Sequence, residues 1–154
     1  MAAGRIVVGV DGSEPSLGAL RWAARQAELT GDRLEAVIGW EYPASGWAAM
    51  APGMPLAAMP SGAAAEADPE ELARRTLDEA VTATLGGAAA AATDRLVVNG
   101  HAAQALVERA AGASLLVVGD RGHSGLTAAL LGSVSRHVTH HAPCPVVVVR
   151  GDTG

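Results

Sequence analysis

The chain has 154 residues, 49% of them hydrophobic, and a formal net charge of −5, which fits one domain with one core. All 11 basic residues are arginine and phenylalanine is absent. Mechanisms that need a lysine, such as a P-loop phosphate clamp or a Schiff base, are therefore excluded, and an acidic chain without a basic stripe is a poor nucleic-acid binder because neutralising phosphates supplies most of that affinity.

Arg5 to Val10 is a short β-branched run that ends in Asp11-Gly12 and reads as a buried parallel strand. Ser13 can cap the helix that follows, with Glu14 and Pro15 in its first turn. Leu17, Leu20, Ala24, Ala27 and Leu29 form the expected apolar face, and Gly31-Asp32 ends the helix. Leu34 to Trp40 is the second strand. Residues 43–68 are rich in Ala, Pro, Gly and Met, show no period of 2 or 3.6, and read as a flexible insertion. Its Trp47, Met50, Met54 and Met59 suit a lid, a partner surface or no role at all.

Pro69 opens a charged amphipathic helix with Leu72, Thr76, Leu77, Ala80, Val81 and Leu85 on one side, ended near Gly86-Gly87. The alanine run beyond leaves that boundary open. Strands at 96–98, 115–118 and 145–149 then alternate with helices at 102–111 and from about Gly132 to His141. Alternation of this kind implies a parallel sheet with helices on both faces. Cys144, the single cysteine, makes no internal disulfide and suits a reducing cytoplasm, where it reads as a small buried hydrophobe. Neither a signal peptide nor a membrane span is expected, and a cytoplasmic location follows.

Ligands of open parallel sheets bind beyond the carboxyl ends of the strands, where the strand order reverses. Two strand ends carry unusual chemistry: Asp11-Gly12-Ser13 and Gly119-Asp120-Arg121-Gly122. Gly119 lets the backbone leave the strand with no Cβ facing a ligand, and Gly122 can take a positive φ. Nine residues later, Gly132-Ser133-Val134-Ser135 opens a helix, whose unpaired amides and positive dipole end suit a phosphate chain. Asp11, Ser133 and Ser135 each have a plain helix-capping alternative. His137, His140 and His141 share a helix face, but nothing completes a metal set; His123 serves a terminal phosphate or only solvent. No acid/base pair marks a catalytic centre, and the GxGxxG of dinucleotide binders is missing after the first strand.

The spacing Gly119-x-x-Gly122-x9-Gly132-Ser133 resembles the ATP-binding signature of the universal stress protein family. Ile6 to Ser13, Gly100, Leu131 to Ser135 and His140 to Val146 are also similar to that family, so the likeness covers nearly the whole chain. The resemblance implies a single three-layer α/β/α domain over residues 1–154, with an open five-stranded parallel sheet in order 3-2-1-4-5. It implies a homodimer paired through residues 145–149, which also hides an aggregation-prone PVVVV edge. It implies ATP, with Mg2+ as a possible companion, as the ligand of a regulatory stress protein that has at most weak hydrolysis. Carried over by position, Asp11, Gly12 and Ser13 border ribose and adenine, and the backbone at Gly39 and Trp40 contacts adenine. Val118 and Gly119 lie along the ribose, Gly122 by the phosphates, and Gly132, Ser133, Val134 and Ser135 around the triphosphate.

Two positions depart from the family pattern. Gly39 stands where a branched aliphatic residue is common, with Trp40 or Tyr42 to compensate. Asp120 puts a carboxylate near phosphates, which requires an outward rotamer, a shared cation or relief from Arg121. Competing readings are a slow ATPase or nucleotide-utilising enzyme, and a nucleotide-independent dimeric interaction module.

Overall fold

The computed structural model describes residues 3–41, 68–121 and 131–150. Within them strands and helices alternate: β1 (Arg5–Gly9), α1 (Glu14–Thr30), β2 (Arg33–Trp40), α2 (Pro69–Leu85), α3 (Gly87–Ala92), β3 (Asp94–Asn99), α4 (Ala102–Ala110), β4 (Leu115–Gly119), α5 (Ser133–His141) and β5 (Val146–Val149). The strands form one parallel sheet in the order β3-β2-β1-β4-β5. The order reverses between β1 and β4, so the carboxyl ends of these two strands flank the crevice where such sheets hold ligands.

Local chemistry fixes the helix starts. Ser13 caps α1 by accepting from the Ser16 amide, and Pro15 occupies the first turn. Gly31, at φ 77°, closes α1 through its amide to the Ala27 carbonyl. Asp68 caps α2 in the same manner through Glu70, ahead of Pro69. The alanine run forms the separate short helix α3.

The core has two halves, one on each face of the sheet. Ile6, Val8, Leu20, Leu77 and Val81 pack beneath α1 and α2; Val7, Val37, Leu106, Leu116 and Val138 pack beneath α4 and α5. Alanines at 19, 23, 27, 73 and 80 let the helices approach closely, which replaces the volume that aromatic rings would fill. The buried face of α1 runs through Ser16, Ala19, Leu20, Ala23 and Ala27. The expected face is therefore rotated, and Leu29 is 77% exposed. On α2 likewise, Ala73 is buried and Leu72 is exposed. Cys144 is half-buried rather than fully buried; burial pushes its thiol up, with Arg5 opposing.

The amino ends of the strands are tied by a charge cluster. Glu35 on β2 is 7% exposed and accepts from Arg109 Nε at 2.8 Å and Arg109 Nη2 at 2.6 Å. Arg5 Nη1 lies 3.6 Å from the same carboxylate, and Arg5 Nη2 donates to the carbonyls of Arg109 and Ala111. Burial pushes the Glu35 carboxyl up, but the Arg109 hydrogen bonds and the charges of Arg109 and Arg5 outweigh it and hold it below its ordinary value. The Glu35 hydrogen bond raises Arg109 in turn.

Candidate functional site

At the opposite end of the sheet a cavity of about 210 Å³ opens between β1, β4, α4 and α5. Its floor is apolar, made by Val37, Leu106 and Val118, all members of the α4/α5 side of the core. Its rim is polar, with Asp11, Arg121 and Ser133. A hollow of about 360 Å³ adjoins it, sharing Ala102, Ser133 and Val134 and adding His101, Gln104 and His137. An apolar floor with a few polar groups at one side suits a flat heterocycle carrying a polar tail.

Asp11 is held by the turn that follows it. Gly12 takes φ 86°, which only glycine adopts without strain. The turn brings Ser13 N to 2.9 Å and Ser13 Oγ to 2.5 Å from Asp11 Oδ1, both donating to the carboxylate. Ser13 is itself buried and committed to capping α1. Of this trio Asp11 lines the cavity, while Gly12 and Ser13 shape it from behind.

Gly119 does line the cavity, but its lack of a side chain answers to a different neighbour. A Cβ there would come within 2.7 Å of the Pro15 carbonyl carbon and oxygen. The glycine is thus required for the first turn of α1 to rest on the end of β4. Beyond it, the Asp120 amide donates to the Val149 carbonyl at 3.0 Å, and the Asp120 carbonyl accepts from Gly132 N at 2.8 Å. Through its two flanking peptide groups this one residue ties the edge strand to the start of α5.

Gly132 is the N-cap of α5 and provides no side-chain cap. The amides of Ser133, Val134 and Ser135 consequently lack an intrahelical acceptor and present the positive end of the helix to the cavity that these residues line. Ser133 is exposed. Ser135 is 3% exposed, and its hydroxyl donates to the Gly119 carbonyl, so it pins the loop end as well as lining the cleft.

Val118 sits in the floor. Gly39 and Trp40 are not among the lining residues. A Cβ on Gly39 would fall 2.9 Å from Ala102 Cα, because the turn into α4 crosses there, and the Trp40 carbonyl accepts from Gly100 N at 2.7 Å. The branched side chain facing the cleft is Val37, one pleat deeper on the same face of β2. Asp120 is 9% exposed and is not among the residues that line the cavity. Leu106 and Ala102 come from a helix without any motif signal, though the period of α4 marks Leu106 as core. Gly122, Tyr42, His123 and the insertion residues 43–67 lie outside the described residues.

The rings of His137 and His141 lie 4.5 Å apart, tilted by 40°, on the exposed face of α5. Among the described residues no group of three or more His, Cys, Asp or Glu is placed to hold a metal ion. No described helix is long and apolar enough to cross a membrane.

Residues 3–150 match the sequence profile of the universal stress protein family. The chain belongs to this family. It is 34% identical over 153 residues to a universal stress protein of Mycolicibacterium smegmatis, covering 96% of this chain and 48% of that one. It is also 34% identical over 145 residues to universal stress protein Rv2005c of Mycobacterium tuberculosis, covering 94% and 45%. The chain thus spans about half the length of these relatives. Among solved structures it is similar to a universal stress protein in complex with cAMP, with TM-score 0.64, 28% identity and coverage of 99% and 100%. It is likewise similar to a universal stress protein of Archaeoglobus fulgidus in complex with dAMP, with TM-score 0.62, 26% identity and coverage of 97% and 99%. The five-stranded order and flanking helices are those of the universal stress protein fold.

Proposed function

We propose that this universal stress protein is an adenine-nucleotide binder with a regulatory role in the cytoplasm, and that ATP is its ligand. The observation that carries the reading is the cleft between β1 and β4: an apolar floor, then Arg121 and the uncapped start of α5 on one side. In this reading adenine rests on the Val37, Leu106 and Val118 floor, Asp11 meets the ribose hydroxyls, and the amides of Ser133 to Ser135 donate to the phosphates. The adjoining hollow gives a phosphate tail room to extend over Ser133. The complexes of similar proteins with cAMP and dAMP support the adenine end of this reading.

Asp11 is the one carboxylate lining the cleft among the described residues. Mg2+ commonly enters sites of this kind through one or two carboxylates together with the substrate phosphates, so Asp11 is the residue that would share it. Catalysis is not part of the proposal, which concerns binding alone. Val146–Val149 forms a sheet edge paired on one side, with β4. Pairing with a second copy would cover it, which makes the homodimer part of the proposal.

The test is isothermal titration of nucleotide-free protein with ATP, AMP and adenosine, joined to mass spectrometry of whatever the purified protein releases on denaturation. Binding in the micromolar range with no turnover is the expected result. Absence of ATP binding at millimolar concentration removes the proposal, and sustained phosphate release replaces it with an enzyme.

A further inference from the structure

The cleft is short of positive charge. The chain has no lysine, and between Gly119 and Ser135 its ionisable residues are Asp120, Arg121 and His123. Arg121 is the one cation lining the cavity among the described residues. Its Nε is buried yet makes no hydrogen bond. The nearest described carboxylate oxygen, Asp120 Oδ2, stops at 3.9 Å, outside hydrogen-bond range. Buried donors are almost always filled, and at the other end of the sheet Arg109 shows the filled case, with two bonds to Glu35. The guanidinium of Arg121 is a fork of donors beside the α5 amides, with a buried position still to be used.

We propose that Arg121 recognises the phosphate of the bound nucleotide and that Asp120 attenuates it, so that the cleft reads the charge of its ligand. This rests on the nucleotide reading above and adds the residue that distinguishes a phosphorylated ligand from a bare nucleoside. Among the described residues, Asp11 lies on the rim and Asp120 beside Arg121, the one cation that lines the cavity. The Asp120 side chain is 12% exposed, so solvent and salt screen it less than a surface charge. A metal-free triphosphate therefore gains less from this site than its number of oxygens suggests.

The experiment titrates the full chain with adenosine, AMP, ATP and pyrophosphate in metal-free buffer, with urea denaturation of each variant as the control for folding. In Arg121→Gln the affinity for AMP falls about tenfold to a hundredfold, the range for a lost charge-assisted hydrogen bond, while adenosine stays within about twofold. Arg121→Lys recovers part of the loss, since it restores charge without the fork. In Asp120→Asn the ratio of ATP to adenosine affinity rises severalfold, and the rise shrinks with added salt. An equal loss for adenosine and AMP in Arg121→Gln, no loss for AMP, or a fall in the ATP to adenosine ratio in Asp120→Asn overturns the assignment. Arg121-dependent binding of pyrophosphate without any gain from adenosine leaves the anion role standing and removes the nucleotide reading. No binding of any of the four ligands removes both.

Discussion

The molecule carries an arginine–carboxylate pair at each end of its sheet, and the two are built to opposite ends. Arg109 closes on Glu35 through two bonds of 2.8 and 2.6 Å, and Arg5 braces the same carboxylate from β1. Arg121 and Asp120 are neighbours in sequence, yet their charged atoms stop 3.9 Å apart. Where the pair is completed, three elements far apart in sequence are fastened. Where it is left open, the cation faces a cavity. On the proposed function, the completed pair serves the fold and the open one serves binding, with the same two chemical groups used for both.

The strongest way to break the contrast is at the junction under the open end. Gly119→Ala places a methyl group against the Pro15 backbone, and backbone cannot move aside as a side chain can. Overpacking of this kind costs about 3 kcal/mol, so the urea midpoint falls sharply and nucleotide binding is lost with the fold. Loss of binding in a Gly119 variant is thus a readout of packing, and Arg121 variants are the sharper probe of the site.

Next in size is the closed end. Arg109→Met leaves Glu35 buried with Arg5 as its remaining partner. A fully buried broken pair costs more, but 41% of the Arg109 side chain is exposed, so a loss of about 2 kcal/mol is expected in denaturant titration. Nucleotide affinity per folded molecule stays unchanged, because the two pairs lie at opposite ends of the sheet.

The same pair sets an acid limit. The Glu35 carboxyl is held below its ordinary value in the folded state. Its contribution is therefore complete above the unfolded value of about 4.3 and disappears as pH falls through the lower folded value. Urea midpoints measured between pH 6 and pH 3 should drop more steeply for the native chain than for Glu35→Gln. Ser135→Ala, which removes the hydroxyl donated to Gly119, should cost about 1 kcal/mol. Leu29→Gln, at a position 77% exposed, should change stability by less than about 0.5 kcal/mol.

The alternation of β-branched runs with helical segments was enough to read the α/β class, and the glycine spacing pointed to the carboxyl ends of β1 and β4. What stayed hidden has physical reasons. In α1 and α2 alanine sits on both faces, and it is small enough to be buried or exposed at little cost. A pattern of larger residues therefore adds the exposed Leu29 and Leu72 to faces on which Leu20, Ala27, Leu77, Ala80 and Val81 are buried. The Glu35–Arg109 pair spans 74 residues and belongs to no local motif. Gly119 was correctly singled out for its missing Cβ, but the neighbour that demands it, Pro15, lies on another element and emerges only when α1 is docked. Val37 was passed over for Gly39 because both share one face of β2. The crossing of Gly100 to Ala102 over the strand end decides which of them meets the cleft.

The Asp120 peptide has a practical consequence for watching this protein at work. Its amide proton is held by Val149 on the edge strand, and its carbonyl holds the amide proton of Gly132. Hydrogen–deuterium exchange at these two amides reports on the two sides of the Asp120 backbone. Loosening of β5 releases the first proton, while displacement of the start of α5 releases the second. The two protons, joined through the backbone of the one residue Asp120, can therefore tell fraying of the sheet edge from displacement of the α5 start.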